Sequence, residues 1–130
     1  MQDEGGTSVE RRRFYRLRYP DDCRPTVVID GDYLPLAELS PRGVRVVVDE
    51  PRWRPGDLCD VELRLASQPV LRVPDAVVLR LECAELVIWL TVPIDPAVVL
   101  REQRRLIRRA RRMTDPGALN ALRTWPPVER

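Results

Sequence analysis

Two short groups of residues have the types and spacing to hold an anion. The first is the basic cluster Arg11-Arg12-Arg13-Phe14-Tyr15-Arg16, in which Arg12 and Arg16 form the pattern R-x-x-x-R. The second is Glu38-Leu39-Ser40-Pro41-Arg42-Gly43, the pattern E-x-S-x-x-G. A guanidinium group is planar and always charged, bonds phosphate oxygens in pairs, and can lay its flat face on an aromatic ring. On an extended chain, arginines four residues apart stand about 13 Å apart at the backbone, close enough to converge on one ligand or grip its two sides. Each pattern also has a plainer form. R-x-x-x-R resembles a solvated charge run, common where all 22 basic residues are arginine, and S-x-x-G resembles a hairpin turn with Gly43 at positive φ.

Other chemistry is poorly represented. There is no histidine, so the commonest general base and metal ligand are missing. No two carboxylates form a convincing catalytic pair. Asp21, Asp22, Asp30 and Asp32 fall at expected turns, where acidic residues bond the local backbone, and they lack the spacing of a cation-binding loop. Cys23, Cys59 and Cys83 form no C-x-x-C pair, and their odd number suits a reducing compartment and the role of small buried hydrophobes. The expectation is a binding domain with no catalytic residues, metal or cofactor.

The elements that must position these groups are mostly strands. The chain has 130 residues, 44% hydrophobic, with a net charge of +2, enough for one domain with a real core. Residues 1–10 are polar and read as a flexible arm. Phe14 to Tyr19 alternates apolar residues with arginine and reads as extended. Short β-type runs follow at Pro25–Asp30, Tyr33–Leu39, Val44–Val48, Leu58–Leu65, Val70–Leu81 and Leu86–Val92, with turns at Gly31-Asp32 and Ser40–Gly43. Leu34, Leu36 and Leu39 face a core in the second run, and Val61, Leu63 and Leu65 in the fourth. Pro74 marks a bend or an edge position. Trp53 and Trp89 are expected in the core or at its rim, although alternation puts Trp89 on the face of Val87, and that face could wall a site. At Asp95-Pro96 the period becomes helical, with Asp95 as N-cap. Val99, Gln103, Leu106, Ala110 and Met113 form the apolar stripe of a helix over 96–113, flanked by Leu100 and Ile107. Arg101, Arg104, Arg105, Arg108, Arg109 and Arg112 lie opposite, toward solvent. Residues 114–130 read as a tail. Regularly spaced short strands argue for a small barrel or sandwich.

The order of R-x-x-x-R, E-x-S-x-x-G, six strands and a closing helix resembles the PilZ domain family over about residues 10–113. The resemblance implies a six-stranded antiparallel β-barrel with a C-terminal α-helix packed on it, the barrel and helix occupying 11–113. It also implies binding of cyclic di-GMP, a bacterial second messenger. By that pattern Arg12 and Arg16 are the motif arginines, with Arg11 and Arg13 as helpers. Ser40 offers a hydroxyl to a guanine edge or phosphate, and Gly43 lets the backbone approach the ligand. The chain departs from the family at Glu38, where Asp or Asn is usual. Glu38 keeps acceptor oxygens for guanine, but it is one methylene longer and could instead pair with Arg12 or Arg16. The implied mechanism is a switch, in which phosphate charge draws the arm onto the barrel and makes a surface for a protein partner.

Two other readings use the same elements. One is a nucleotide-independent adaptor that docks a protein through the helix or through Trp125-Pro126-Pro127. The other is nucleic-acid or anionic-membrane binding by the arginine face of residues 101–112, which lacks interleaved aromatics for stacking and needs its apolar stripe for the barrel. No run reaches the roughly 18 apolar residues of a membrane span. The polar start has no leader-like hydrophobic stretch, and the expected location is the cytoplasm.

Overall fold

The computed structural model describes residues 16–50 and 52–113. The arm 1–10, Arg11, Arg12, Arg13 and the segment 114–130 with Trp125 lie outside the described residues. Seven strands form one sheet: β1 (Leu17–Arg18), β2 (Thr26–Ile29), β3 (Asp32–Leu39), β4 (Gly43–Val47), β5 (Leu58–Arg64), β6 (Leu71–Glu82) and β7 (Glu85–Trp89). The order β3-β2-β5-β6-β7-β4 closes through a β4–β3 pairing, and all pairs are antiparallel. The result is a six-stranded antiparallel barrel. The two-residue β1 is an addition, lying on β3 at Leu17↔Leu39 and Arg18↔Glu38, just beyond the stretch that β2 occupies.

Alternation explains most of the core. Val27 and Ile29, Val44 and Val46, Val61 and Leu63, and Leu86 and Ile88 point inward from successive strands and are buried. β3 breaks the rule with a register shift between Leu36 and Glu38. The extra residue, Ala37, is buried too, so Leu36 and Leu39 both face inward although three residues apart. Leu34 is only partly buried. A second shift lies opposite Pro74-Asp75, where Asp75 has φ 55° and the Asp60 carboxylate accepts its amide at 3.1 Å. Pro74 therefore marks a bend, in a stretch of β6 that pairs with β5 alone, since β7 joins only from Val77. The first hairpin turns at Asp30-Gly31, one residue earlier than Gly31-Asp32, with φ of 48° and 91°. Asp30 also accepts the Trp53 indole at 3.0 Å and the Asp60 amide at 2.9 Å. Trp53 is buried as expected. Cys59 is buried and its thiol is pushed up to about 12 by burial, but Cys83 is exposed at the β6–β7 turn, contrary to the expectation of a buried hydrophobe.

Helix α1 (Pro96–Met113) begins where Asp95 accepts the Ala97 amide at 3.0 Å. Its buried stripe is Val98, Val99, Glu102, Leu106 and Ala110, rotated from the expected one. Gln103 is half-buried, while Glu102 has no exposed surface. Arg105 and Arg109 are also not on the solvent face. Arg105 reaches Glu102 at 3.4 Å, and Arg109 reaches Asp22 at 3.2 Å. The reason is polar pairing: Glu102 accepts the Tyr19 hydroxyl at 2.6 Å and the Ser67 amide at 3.3 Å. A buried carboxylate is tolerated only with such partners. Burial pushes the Glu102 carboxyl up, but the hydrogen bonds from Ser67 and Tyr19 and the charge of Arg105 outweigh this and hold it below the usual range. Burial also raises the Tyr19 phenol, so it remains a donor. No helix among the described residues is long and apolar enough to cross a membrane.

Glu102→Ala should cost about 3–5 kcal/mol, because it leaves Tyr19, Ser67 and Arg105 without their shared acceptor. Tyr19→Phe should cost less, about 1–3 kcal/mol. Urea unfolding at neutral pH measures both. The folded carboxyl titrates below its unfolded value of about 4.3. Its contribution is therefore complete above that pH and lost as pH falls through the folded value. The gap between wild type and Glu102→Ala should narrow on acidification, and a gap that widens would contradict the arrangement.

Candidate anion-binding cleft

Directly opposed residues of antiparallel strands share a face. The pairings Arg18↔Glu38, Glu38↔Arg45, Arg45↔Val87 and Val87↔Arg80 therefore run one row of side chains across β1, β3, β4, β7 and β6 on the outside of the barrel. Beside it runs Gly43↔Trp89↔Val77↔Leu58. A cleft of about 310 Å³ opens over these rows, lined by Arg16, Glu38, Ser40, Arg42, Gly43, Arg45, Leu79, Arg80, Val87 and Trp89 among others. Four arginines face a single carboxylate there. Such a lining attracts anions, and the volume is at the small end of ligand sites.

Of the residues expected at a site, Arg16, Glu38, Ser40 and Gly43 meet in this cleft. Arg16 is exposed and, among the described residues, pairs with no carboxylate. Glu38 is positioned by the β3 irregularity, which puts it outside while Leu36 and Leu39 stay inside. Its carboxylate stands 3.7 Å from Arg18 and 3.7 Å from Arg45, so its charge is balanced by these two rather than by Arg16. Both distances exceed hydrogen-bond length, which leaves the oxygens able to accept. Behind it, Arg18 spans both oxygens of Glu85, one at 3.0 Å, and Arg45 bonds Glu82 at 2.8 Å. The Arg18 hydrogen bond holds the Glu85 carboxyl below its ordinary range despite partial burial.

The turn before β4 is built by its own polar groups. Ser40 Oγ accepts the Gly43 amide at 3.0 Å and donates to its carbonyl at 3.1 Å. Gly43 does not have positive φ, unlike the plain hairpin expectation. It is required for space: a Cβ would sit 3.1 Å from the Ile88 carbonyl. The turn is tied to the end of β7, where Leu90 N–H donates to the Arg42 carbonyl at 2.8 Å and the Arg42 guanidinium donates to the carbonyl oxygens of Leu90 and Thr91 at 3.2 and 3.3 Å.

Sequence reasoning left Trp89 between core, rim and site wall, and missed Arg45 and Arg80. Trp89 is not in the core; it is 41% exposed on the cleft, with the Arg42 guanidinium 4.9 Å from its ring centre. The alternation with Val87 was the available signal, and Ile88 between them takes the core position. Arg45 and Arg80 belong to strands whose pairing no local pattern reveals. The arm also differs from a wholly mobile segment. Leu17 and Tyr19 are each 1% exposed, and the Tyr19 amide donates to the Ala37 carbonyl at 2.9 Å, so the chain is docked from Leu17 onward.

Gly43→Ala should lower stability by about 1–3 kcal/mol, since the carbonyl it crowds belongs to the β7 backbone and has little room to move. Ser40→Ala should cost about 1 kcal/mol through the lost turn bonds. Urea midpoints measure both, and a Gly43→Ala protein as stable as wild type would show that the turn relaxes freely.

No protein-family model matches the chain, and no curated protein matches it. Among solved structures, the chain is similar to an uncharacterized Legionella protein, Lpg0364, with a TM-score of 0.47 and 17% identity, over 75% of this chain and 98% of that one.

Proposed function

We propose that the domain is a non-catalytic receptor for cyclic di-GMP, taking the dinucleotide in the cleft over β3, β4 and β7. The observation that carries this reading is the convergence of Arg16 with the distant turn residues Glu38, Ser40 and Gly43 on one arginine-rich cleft beside the half-exposed Trp89. Arg16, together with Arg12 from the preceding arm, binds phosphate or guanine edges through its fork. Glu38 accepts the N1 and N2 protons of a guanine, and Trp89 offers a flat face for a base. Arg11 and Arg13 add positive charge. Because the chain is docked from Leu17, the rearrangement that signals binding is confined to residues before it, and a protein partner reads the new surface.

A nucleotide-independent adaptor is the second reading, favoured by the exposed Leu79, Leu81 and Trp89 on neighbouring strands. Calorimetric titration with cyclic di-GMP at physiological salt separates the two, with GTP as the polyanion control. Micromolar or tighter binding, not shared by GTP and weakened about tenfold or more by Arg16→Ala, is the expected result. Absence of binding by the folded protein would overturn the receptor and leave the adaptor.

A further inference from the structure

A second cavity, of about 480 Å³, lies on another part of the surface and shares no lining residue with the cleft. Its wall comes from three places in the chain: Cys23, Arg24, Pro25 and Thr26 before and at the start of β2; Arg64, Leu65, Ala66 and Val70 at and beyond the end of β5; and Arg105 of α1. Three guanidinium groups and no carboxylate line it. Each is held by an acid beside it: Arg24 by Asp21 at 2.8 Å, Arg64 by Glu62 at 2.7 Å and Arg105 by Glu102 at 3.4 Å. Those contacts fix the forks without using all their donors. Among the described residues, the Nε atoms of both Arg24 and Arg105 are buried and find no acceptor. Orphaned donors of this kind are rare and costly.

The remaining groups add no anion. Asp22 is paired with Arg109 at 3.2 Å, and burial raises the Cys23 thiol, which stays neutral. Each of the three charges is matched by one acid, so what the site offers a ligand is the unused donors of three forks, and tetrahedral oxyanions match several forks at once. Pro25, Leu65, Ala66 and Val70 supply an apolar wall beside the charges. We infer that Arg24, Arg64 and Arg105 form a separate binding site for the phosphate group of a small phosphomonoester, with the organic part against that apolar wall.

The test is nuclear magnetic resonance of the arginine Nε–H signals of the full chain, titrated with inorganic phosphate and with phenyl phosphate at constant ionic strength. Saturable shifts of Arg24, Arg64 and Arg105 are expected, reaching half-saturation at lower phenyl phosphate than inorganic phosphate. Arg64→Gln, a half-exposed change, should weaken binding about fivefold or more while leaving the amide fingerprint intact. Arg16→Ala should leave it unchanged, so failure of the cyclic di-GMP reading and failure of this one are separable. Shifts that never saturate, that are matched by chloride, or that survive Arg64→Gln at full affinity would overturn the site.

Discussion

One buried carboxylate organises the relation between the entry segment Leu17–Tyr19, the barrel and the helix. Glu102 has no exposed surface, so it must find donors within the fold. It finds them on three separate pieces of chain: Tyr19 beyond β1, the Ser67 amide in the β5–β6 connection and Arg105 one helical turn away. Satisfying that one group sets the rotation of α1 and the depth of Tyr19. The depth of Tyr19 then sets β1. Arg18 must face outward to Glu85, Leu17 inward, and Arg16 reaches the chain's exit at the cleft. A polar demand at the helix thus fixes the register of the segment that carries Arg16 to the cleft.

The outer face of the barrel follows a related electrostatic logic. Arg18 and Arg45 flank Glu38, and Glu82 and Glu85 balance them in turn. Arg18, Glu38, Arg45 and Glu85 are only partly exposed, so they attract more strongly than isolated surface ion pairs, whose contribution is small, while Glu82 is exposed. The network holds Glu38 in place without closing a hydrogen bond on it. It also leaves Arg16 and Arg42 without a carboxylate partner among the described residues, so the cleft keeps a net positive charge.

The fold was largely legible in the sequence because barrel strands obey a period of two and their turns carry strong markers. The runs around Val27, Val44, Val61 and Ile88 all place their apolar residues inward, and Asp95-Pro96 starts the helix as its chemistry requires. The misreadings arise where a local pattern meets a distant partner. Gln103 suits an apolar stripe better than Glu102 until Tyr19 and Ser67 are near. Arg105 and Arg109 suit a solvent face until Glu102 and Asp22 are near. Trp89 resembles a core residue by composition, and only its alternation about Ile88 puts it outside. For the cleft, Arg16, Glu38, Ser40 and Gly43 could be named only through the family resemblance that their two motifs carry together. Arg45 and Arg80 reach it through strand pairing that carries no local mark.

Closure of the barrel has a consequence for how another chain could engage it. Each of the six ring strands has a neighbour on both sides, and the short stretch of β3 beyond β2 is covered by β1. Backbone donors and acceptors are consumed where a strand is paired on both sides, but β6 pairs with β5 only up to Val77 and with β7 only from Val77, so an added strand could find room only along the unpaired halves of β6. β1 itself is that kind of guest, a two-residue strand from the same chain. A visitor would therefore read side chains across the flat of the barrel, pair along an unpaired half of β6, or displace β1, and displacement would expose Leu17 and Tyr19 to water.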